Sequence, residues 1–318
     1  MKWRKLGRVF DPTRFSLPNG CTQFAQSPQA LVCGDFVRIF FSTRSLDQAN
    51  GKYLSHVAFV DMKKNMREII GVSSHSVIEL GALGCFDEHG IFPMNVLWRG
   101  DSVYGYTCGW SRRVSVSVET AIGLAISRDR GHTFQKIGDG PILAASLQEP
   151  CLVGDPFVRV FEDVYHMWYI FGIGWRRFAA DAAPDRTYKI GHAVSRDGVS
   201  WTKEEARPIV EDRLGSDECQ ALPSVIRLDR TYHMFFCYRH SHDFRANRSR
   251  GYRLGHAQSG DLINWTRNDD TLGLEASENG WDSDMLCYPH AFECDGEVYL
   301  LYNGNEFGRY GFGLAILE

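Results

Sequence analysis

The segment DECQALPSVI, Asp217 to Ile226, sets two acids directly ahead of a short apolar run that reads as a strand. Similar acids stand ahead of proline-bearing runs elsewhere. Glu88, Glu218 and Asp284 lie five residues before Pro93, Pro223 and Pro289, and Asp155 immediately precedes Pro156. Offsets of five and one share parity, so on extended backbone these side chains point the same way. Carboxylates gathered in this manner and partly withdrawn from water push one another's pKa values apart, leaving a protonated acid beside an ionised base near neutrality. Cleavage of a glycosidic bond needs that pair, and the separation of its carboxyl groups decides between inversion and retention. Asp87, next to Glu88, is the alternative acid of its segment.

Other residue types fit the same chemistry. Arg44, Arg239 and Arg245, with Trp110 and Trp175, follow aromatic strand-like runs. Their forked donors and ring faces suit sugar hydroxyls, carboxylates and pyranose rings. His290 is a further ligand-binding candidate. With several carboxylates it could hold a divalent cation, but no dense ligand motif surrounds it, so no metal and no other cofactor is expected. His166, His192, His233 and His256 recur in matched YHM and GHA contexts, the pattern of packing residues.

The elements that must position these groups are repeated. Pro28, Pro93, Pro156, Pro223 and Pro289 follow one another at intervals of 65, 63, 67 and 66 residues. A repeat of this regularity points to an array or a propeller. Each proline lies in a strand-like run that is followed by a turn and a second, aromatic strand such as VYHMWYIF or TYHMFFCY. A third strand ends in an S-x-D turn, as in SRDGVSW, which marks a hairpin into a fourth. The expectation is an all-β, five-bladed β-propeller in one domain, with units near 21–80, 85–145, 149–212, 216–275 and 281–318. The last unit has room for three strands, so the segment from Trp3 to Phe10, within residues 1–11, is expected to supply its outer strand and close the ring.

Composition narrows the ligand. A net charge of −4 without a run of Lys or Arg gives no electrostatic footprint for nucleic acid or an anionic membrane. The nine cysteines are scattered without a C-x-x-C pair, which argues against a disulfide framework and against structural zinc. No window has the length and apolarity of a membrane span, and the basic N-terminus lacks an apolar core, so a cytoplasmic protein with a carbohydrate ligand is expected. The sequence carries no signal for the oligomeric state.

In GDPFV with VYHMWY, in DECQALPSV with TYHMFF, and in the SRDGVSW-type hairpins, the chain resembles the five-bladed propeller glycoside hydrolases of families 43, 32, 68 and 130. It is similar in particular to proteins called glycosylases in bacterial polysaccharide-biosynthesis clusters. The resemblance implies three acids on successive blades: a base or nucleophile at Glu88 or Asp87, an Asp-Pro acid at Asp155 that orients substrate and tunes its partner, and a general acid at Glu218. The family's first acid commonly lies on the first blade, where this chain offers Gln23 and Gln26, and Asp284 stands as a fourth candidate. SRDRGHTF also fits the Asp-box hairpin of sialidases, without the full arginine triad of those enzymes. The expected activity is a glycoside hydrolase acting on a small oligosaccharide or an activated or lipid-linked sugar. The alternative is a non-catalytic propeller that binds a glycan or sugar nucleotide, since a fold does not by itself fix a function.

Overall fold

The computed structural model describes residues 1–318, almost all of whose regular structure is antiparallel strand. The first group comprises β2 (Gln23–Cys33), β3 (Phe36–Asp47), β4 (Lys52–Lys63) and β5 (Ile69–Val72), with β1 (Trp3–Phe10) preceding it in the chain. The second holds β6 (Gly90–Arg99), β7 (Ser102–Arg112), β8 (Val118–Ser127) and β9 (Gln135–Lys136), and one parallel bridge, Ser55 to Gly90, joins it to the first. The third is β10 (Cys151–Phe161), β11 (Val164–Arg176), β12 (Asp185–Ser195) and β13 (Thr202–Lys203). The fourth is β14 (Glu218–Leu228), β15 (Thr231–His240), β16 (Arg253–Ser259) and β17 (Thr266–Arg267). The last contains β18 (Cys287–Cys294), β19 (Glu297–Asn303) and β20 (Phe312–Leu317).

The outer strand of that last group is β1, which runs antiparallel to β20 from Trp3 opposite Leu317 to Phe10 opposite Phe312. Its burial explains the placement: Trp3 packs edge-on against Phe235, and Phe10 lies against Phe41 and Phe312. The S-x-D turns make the hairpins that the sequence pattern implies. Ser127 and Asp129 open the turn between β8 and β9, where the Asp129 carboxylate accepts from the Thr133 backbone and hydroxyl. Ser195 with Asp197 and Ser259 with Asp261 repeat the device in the next two groups. The recurring histidines pack inside their own sheets, as the stacked pairs His166–His192 and His233–His256.

The proline-bearing strands touch one another in the order β2, β6, β10, β14, β18 and back to β2. Each carries an irregularity at its proline, where the ladder shifts between Gln26 and Gln29, Ile91 and Met94, Gly154 and Phe157, Ala221 and Ser224, and Cys287 and His290. A proline has no N–H for the ladder, and a bulge is one of the few places in a sheet that tolerates it. The preceding residue takes left-handed backbone in four of the five strands, at Ser27, Asp155, Leu222 and Tyr288. Just beyond the prolines, Asn95 donates to Gln29 at 2.8 Å and accepts from the Val158 backbone, while Ser224 accepts from Ala291. These polar contacts link β2, β6 and β10 in one run and β14 to β18 in another.

Candidate active site

The bulges decide what reaches the cavity. Phe92, Asp155, Leu222 and Tyr288, the residues just ahead of four of the repeated prolines, all line one cavity of about 480 Å³. That size suits one or two sugar rings. Its walls come from the second and third strands and the loops that follow them: Arg44 and Tyr53, Trp110, Arg186 and Tyr188, Arg239 with Phe244 and Arg245, and Glu306 with Phe307. At the mouth, Tyr53 and Trp110 are shared with a shallower depression that adds Lys52, Arg112, Arg113 and Arg177.

Asp155 is the carboxyl group at the floor. It is nearly buried, and burial raises its pKa to about 7, against the smaller opposing effects of the Leu222 amide and the Arg186 charge. Its left-handed backbone, φ 48°, is a strained state that a non-glycine residue holds only when its surroundings impose it. The neighbouring Gly154 lets β10 approach closely, since a Cβ there would come within 2.7 Å of the Cys108 sulfur. Glu306 is the other carboxylate of the wall. It is exposed at the rim and accepts from Arg309 at 2.9 Å.

The remaining acids expected at the channel stand elsewhere. Glu218 is fully enclosed: Oε1 accepts from Arg267 at 2.6 Å and from Gln220, and Oε2 accepts from the backbone N–H groups of Arg213 and Leu214. Asp87 is buried against Lys136 at 2.5 Å. Glu149 meets Lys203, and Asp282 meets Lys5 at 2.7 Å. In each case an acid at or just before the start of a unit's first strand pairs with a base on the outermost strand of the same sheet, so these acids brace their own sheets and do not converge. Glu88 accepts from the Gly84 amide and lies 3.1 Å from His89, while Asp284 is ion-paired with Arg248; neither lines the cavity.

Among the ligand-binding candidates, Arg44, Trp110, Arg239 and Arg245 reach the cavity and two do not. Trp175 sits behind the wall, with the Arg186 guanidinium 5.6 Å from its ring. His290 is completely buried, next to Phe157 and Phe292, because the residue after the proline points inward while the one before it faces the cavity. No group of three His, Cys, Asp or Glu side chains gathers in a metal-ligating arrangement.

Sequence reasoning missed Arg186, Tyr188, Tyr252, Tyr288 and Glu306. A signal existed for the last of these, because HDFR (His242 to Arg245) and NEFGR (Asn305 to Arg309) occupy the same place after the second strands of their units. Asp243 and Glu306 both take left-handed backbone there.

Comparison with solved structures defines the fold. An enzyme described as a glycoside hydrolase superposes with a TM-score of 0.74 at 17% identity, over 99% of this chain and 91% of that one. A thermostable family-43 glycoside hydrolase gives 0.65 at 13% identity, over 92% and 89%. A β-1,2-mannobiose phosphorylase from Listeria innocua gives 0.68 at 12% identity, over 99% and 96%. The chain therefore shares the fold of these enzymes. No protein-family model matches it. It is 34% identical over 324 aligned positions, covering all of both chains, to the uncharacterized proteins Rv1502 and MT1551 of two Mycobacterium tuberculosis strains, H37Rv and CDC 1551. The chain belongs to the family of these mycobacterial proteins.

Proposed function

We propose that the protein cleaves glycosidic bonds in a small oligosaccharide or an activated or lipid-linked sugar, with Asp155 as the proton donor. The observation that carries this reading is a carboxyl group held protonated up to about pH 7 at the floor of an aromatic cavity of sugar size. A general acid works best when its pKa lies near the working pH. Asp155 would protonate the leaving oxygen, and the aromatic walls would stack on the ring faces. Glu306, the other carboxylate of the wall, would assist a nucleophile. Since matched enzymes include both hydrolases and a phosphorylase, that nucleophile is water or phosphate. The cyclic contact of the five inner strands and the pairing of β1 with β20 support a five-bladed ring closed by the N-terminal strand.

The test is time-resolved NMR of the anomeric protons, with wild type and Asp155→Asn set against a panel of oligosaccharides and nucleotide sugars, with and without phosphate. Turnover by the wild type that the folded Asp155→Asn variant lacks supports the reading, and equal turnover by the two overturns it. One feature favours a second reading, a propeller that binds a glycan without cleaving it: only one buried carboxyl group faces the cavity. Saturation transfer to a sugar, equal in both proteins and without product, would select that reading.

A further inference from the structure

The cavity carries a charge opposite to that of the whole molecule. The chain has a net charge of −4, yet Arg44, Arg186, Arg239 and Arg245 all line the cavity. None of the four is ion-paired, whereas arginines elsewhere, such as Arg38, Arg213 and Arg267, hold carboxylates. The two wall carboxyls do not balance them, because burial favours the neutral form of Asp155 and Glu306 is engaged by Arg309.

The arginines are held by neutral groups that fix their position and leave the charge free. Arg239, 1% exposed, donates to the carbonyls of His240 and Ser241 and to the Tyr188 hydroxyl, and its Nε has no partner. Its guanidinium lies 3.5 Å from the centre of the Phe244 ring, and Arg245 lies 4.5 Å from the same ring. Arg44 stands over Phe24 at 4.8 Å with its own Nε buried and unpartnered. Partial desolvation, and then the neighbouring guanidiniums, lower the pKa of Arg245, and partial desolvation likewise lowers that of Arg44. Arg239 is buried, Arg44 and Arg186 are half-buried, and Arg245 stands exposed at the cavity edge; like charges gathered in this way without counterions repel one another and are costly to maintain. A neutral sugar would leave that repulsion in place, whereas an oxyanion would relieve it and accept from the forked donors.

We propose that the cavity selects an anionic sugar, one bearing a carboxylate or a phosphate, whose charged group is held by Arg44, Arg239 and Arg245 while its ring lies on the aromatic wall. The sugar in this proposal rests on the glycoside reading above, and the charge rests on the arginines alone. The basic mouth, with Lys52, Arg112 and Arg113, would draw the same ligand inward.

Binding should be measured by titration calorimetry at constant ionic strength, with methyl glucoside, methyl glucuronide, a hexose phosphate, free glucuronate and inorganic phosphate as probes. A charge-assisted hydrogen bond contributes enough that at least one anionic probe should bind roughly tenfold or more tightly than its neutral counterpart, an advantage that fades with added salt. Arg245→Gln and Arg44→Gln, checked for folding by circular dichroism, should each remove most of that preference. The uronate and phosphate arms identify which oxyanion is taken. If no anion outbinds its neutral counterpart, or if both substitutions leave the preference intact, the proposal is overturned. Anion preference without turnover of any glycoside would retain this inference and sink bond cleavage. Turnover of neutral glycosides without anion preference would do the reverse.

Discussion

Glu218 and Arg267 lie 2.6 Å apart with side-chain exposures of 0% and 6%, joining the first strand of the fourth sheet to its last. Ion pairs placed in the same way recur at Asp87–Lys136, Glu149–Lys203 and Asp282–Lys5. A propeller sheet is held to its neighbours by apolar faces, but its short outer strand has few ladder bonds of its own. In the third and fourth sheets that strand is two residues long. A buried ion pair reaching across the sheet fixes it.

Removing one partner of such a pair strands the other charge in the interior, which costs on the order of 3–5 kcal/mol. Glu218→Gln should therefore lower the midpoint of chemical denaturation strongly, and the protein that remains folded should keep its ligand affinity. Urea titration of the variant beside calorimetry with the best ligand checks both halves. A variant as stable as wild type but inert would return Glu218 to the chemistry.

The reason Glu218 was legible as important but not as structural lies in its strand. Alternation of side chains is reliable only along an unbroken ladder, and each first strand is bulged at its proline, as between Ala221 and Ser224. A bulge inserts a residue and resets which face follows. Counting five residues back from Pro223 therefore crosses the region where parity fails, whereas counting one back, to Asp155 before Pro156, stays at the bulge and reaches the cavity. The proline period and the S-x-D hairpins were readable because proline and turn chemistry are local. Arg186 and Tyr252 left no local signal, since what brings them together is the packing of separate sheets, whereas Tyr288, one residue before Pro289, shares the offset that marks Asp155.

Asp155 makes a prediction about pH. Its pKa is near 7 in the folded protein and near the ordinary aspartate value when unfolded, so the native state holds this proton more tightly. Stability attributable to the group is unpenalised below the unfolded value, is lost progressively as pH rises through the folded one, and stays lost above it. The loss is on the order of 4 kcal/mol. Asp155→Asn removes the titration, and asparagine tolerates left-handed backbone. The variant should thus gain stability over wild type as the buffer moves from pH 5 to pH 8. Denaturation at both values measures this, and a constant difference would contradict it. Turnover by the wild type should fall over the same interval, because the proton donor is being lost.

The cysteines offer a test of the packing. All nine are free, and Cys85 alone is not buried. Burial raises the thiol pKa of Cys21 to about 11 and pushes those of Cys108 and Cys237 higher still, so little reactive thiolate is present in any of the three. A thiol-titrating disulfide reagent should label about one cysteine rapidly in the native protein and all nine in denaturant. Rapid labelling of Cys108 in particular would mean that the cavity wall opens, and a tightly bound ligand should then slow it.

The pair between Lys5 and Asp282 ties the first strand of the chain to the last sheet, and its energetics can be separated from those of the ladder. The Asp282 carboxylate also accepts from the Tyr302 hydroxyl at 3.3 Å and is almost fully enclosed, while Lys5 keeps a quarter of its side chain exposed. Lys5→Met should cost roughly 1–3 kcal/mol, since it leaves the acid buried with weaker partners. Asp282→Leu should cost less, because the lysine can turn toward water. The double variant should be more stable than the sum of the single losses implies, as expected when neither charge is left stranded. Denaturant midpoints of the three variants give the coupling directly. Strict additivity would mean that the ladder between β1 and β20 alone secures the N-terminal strand.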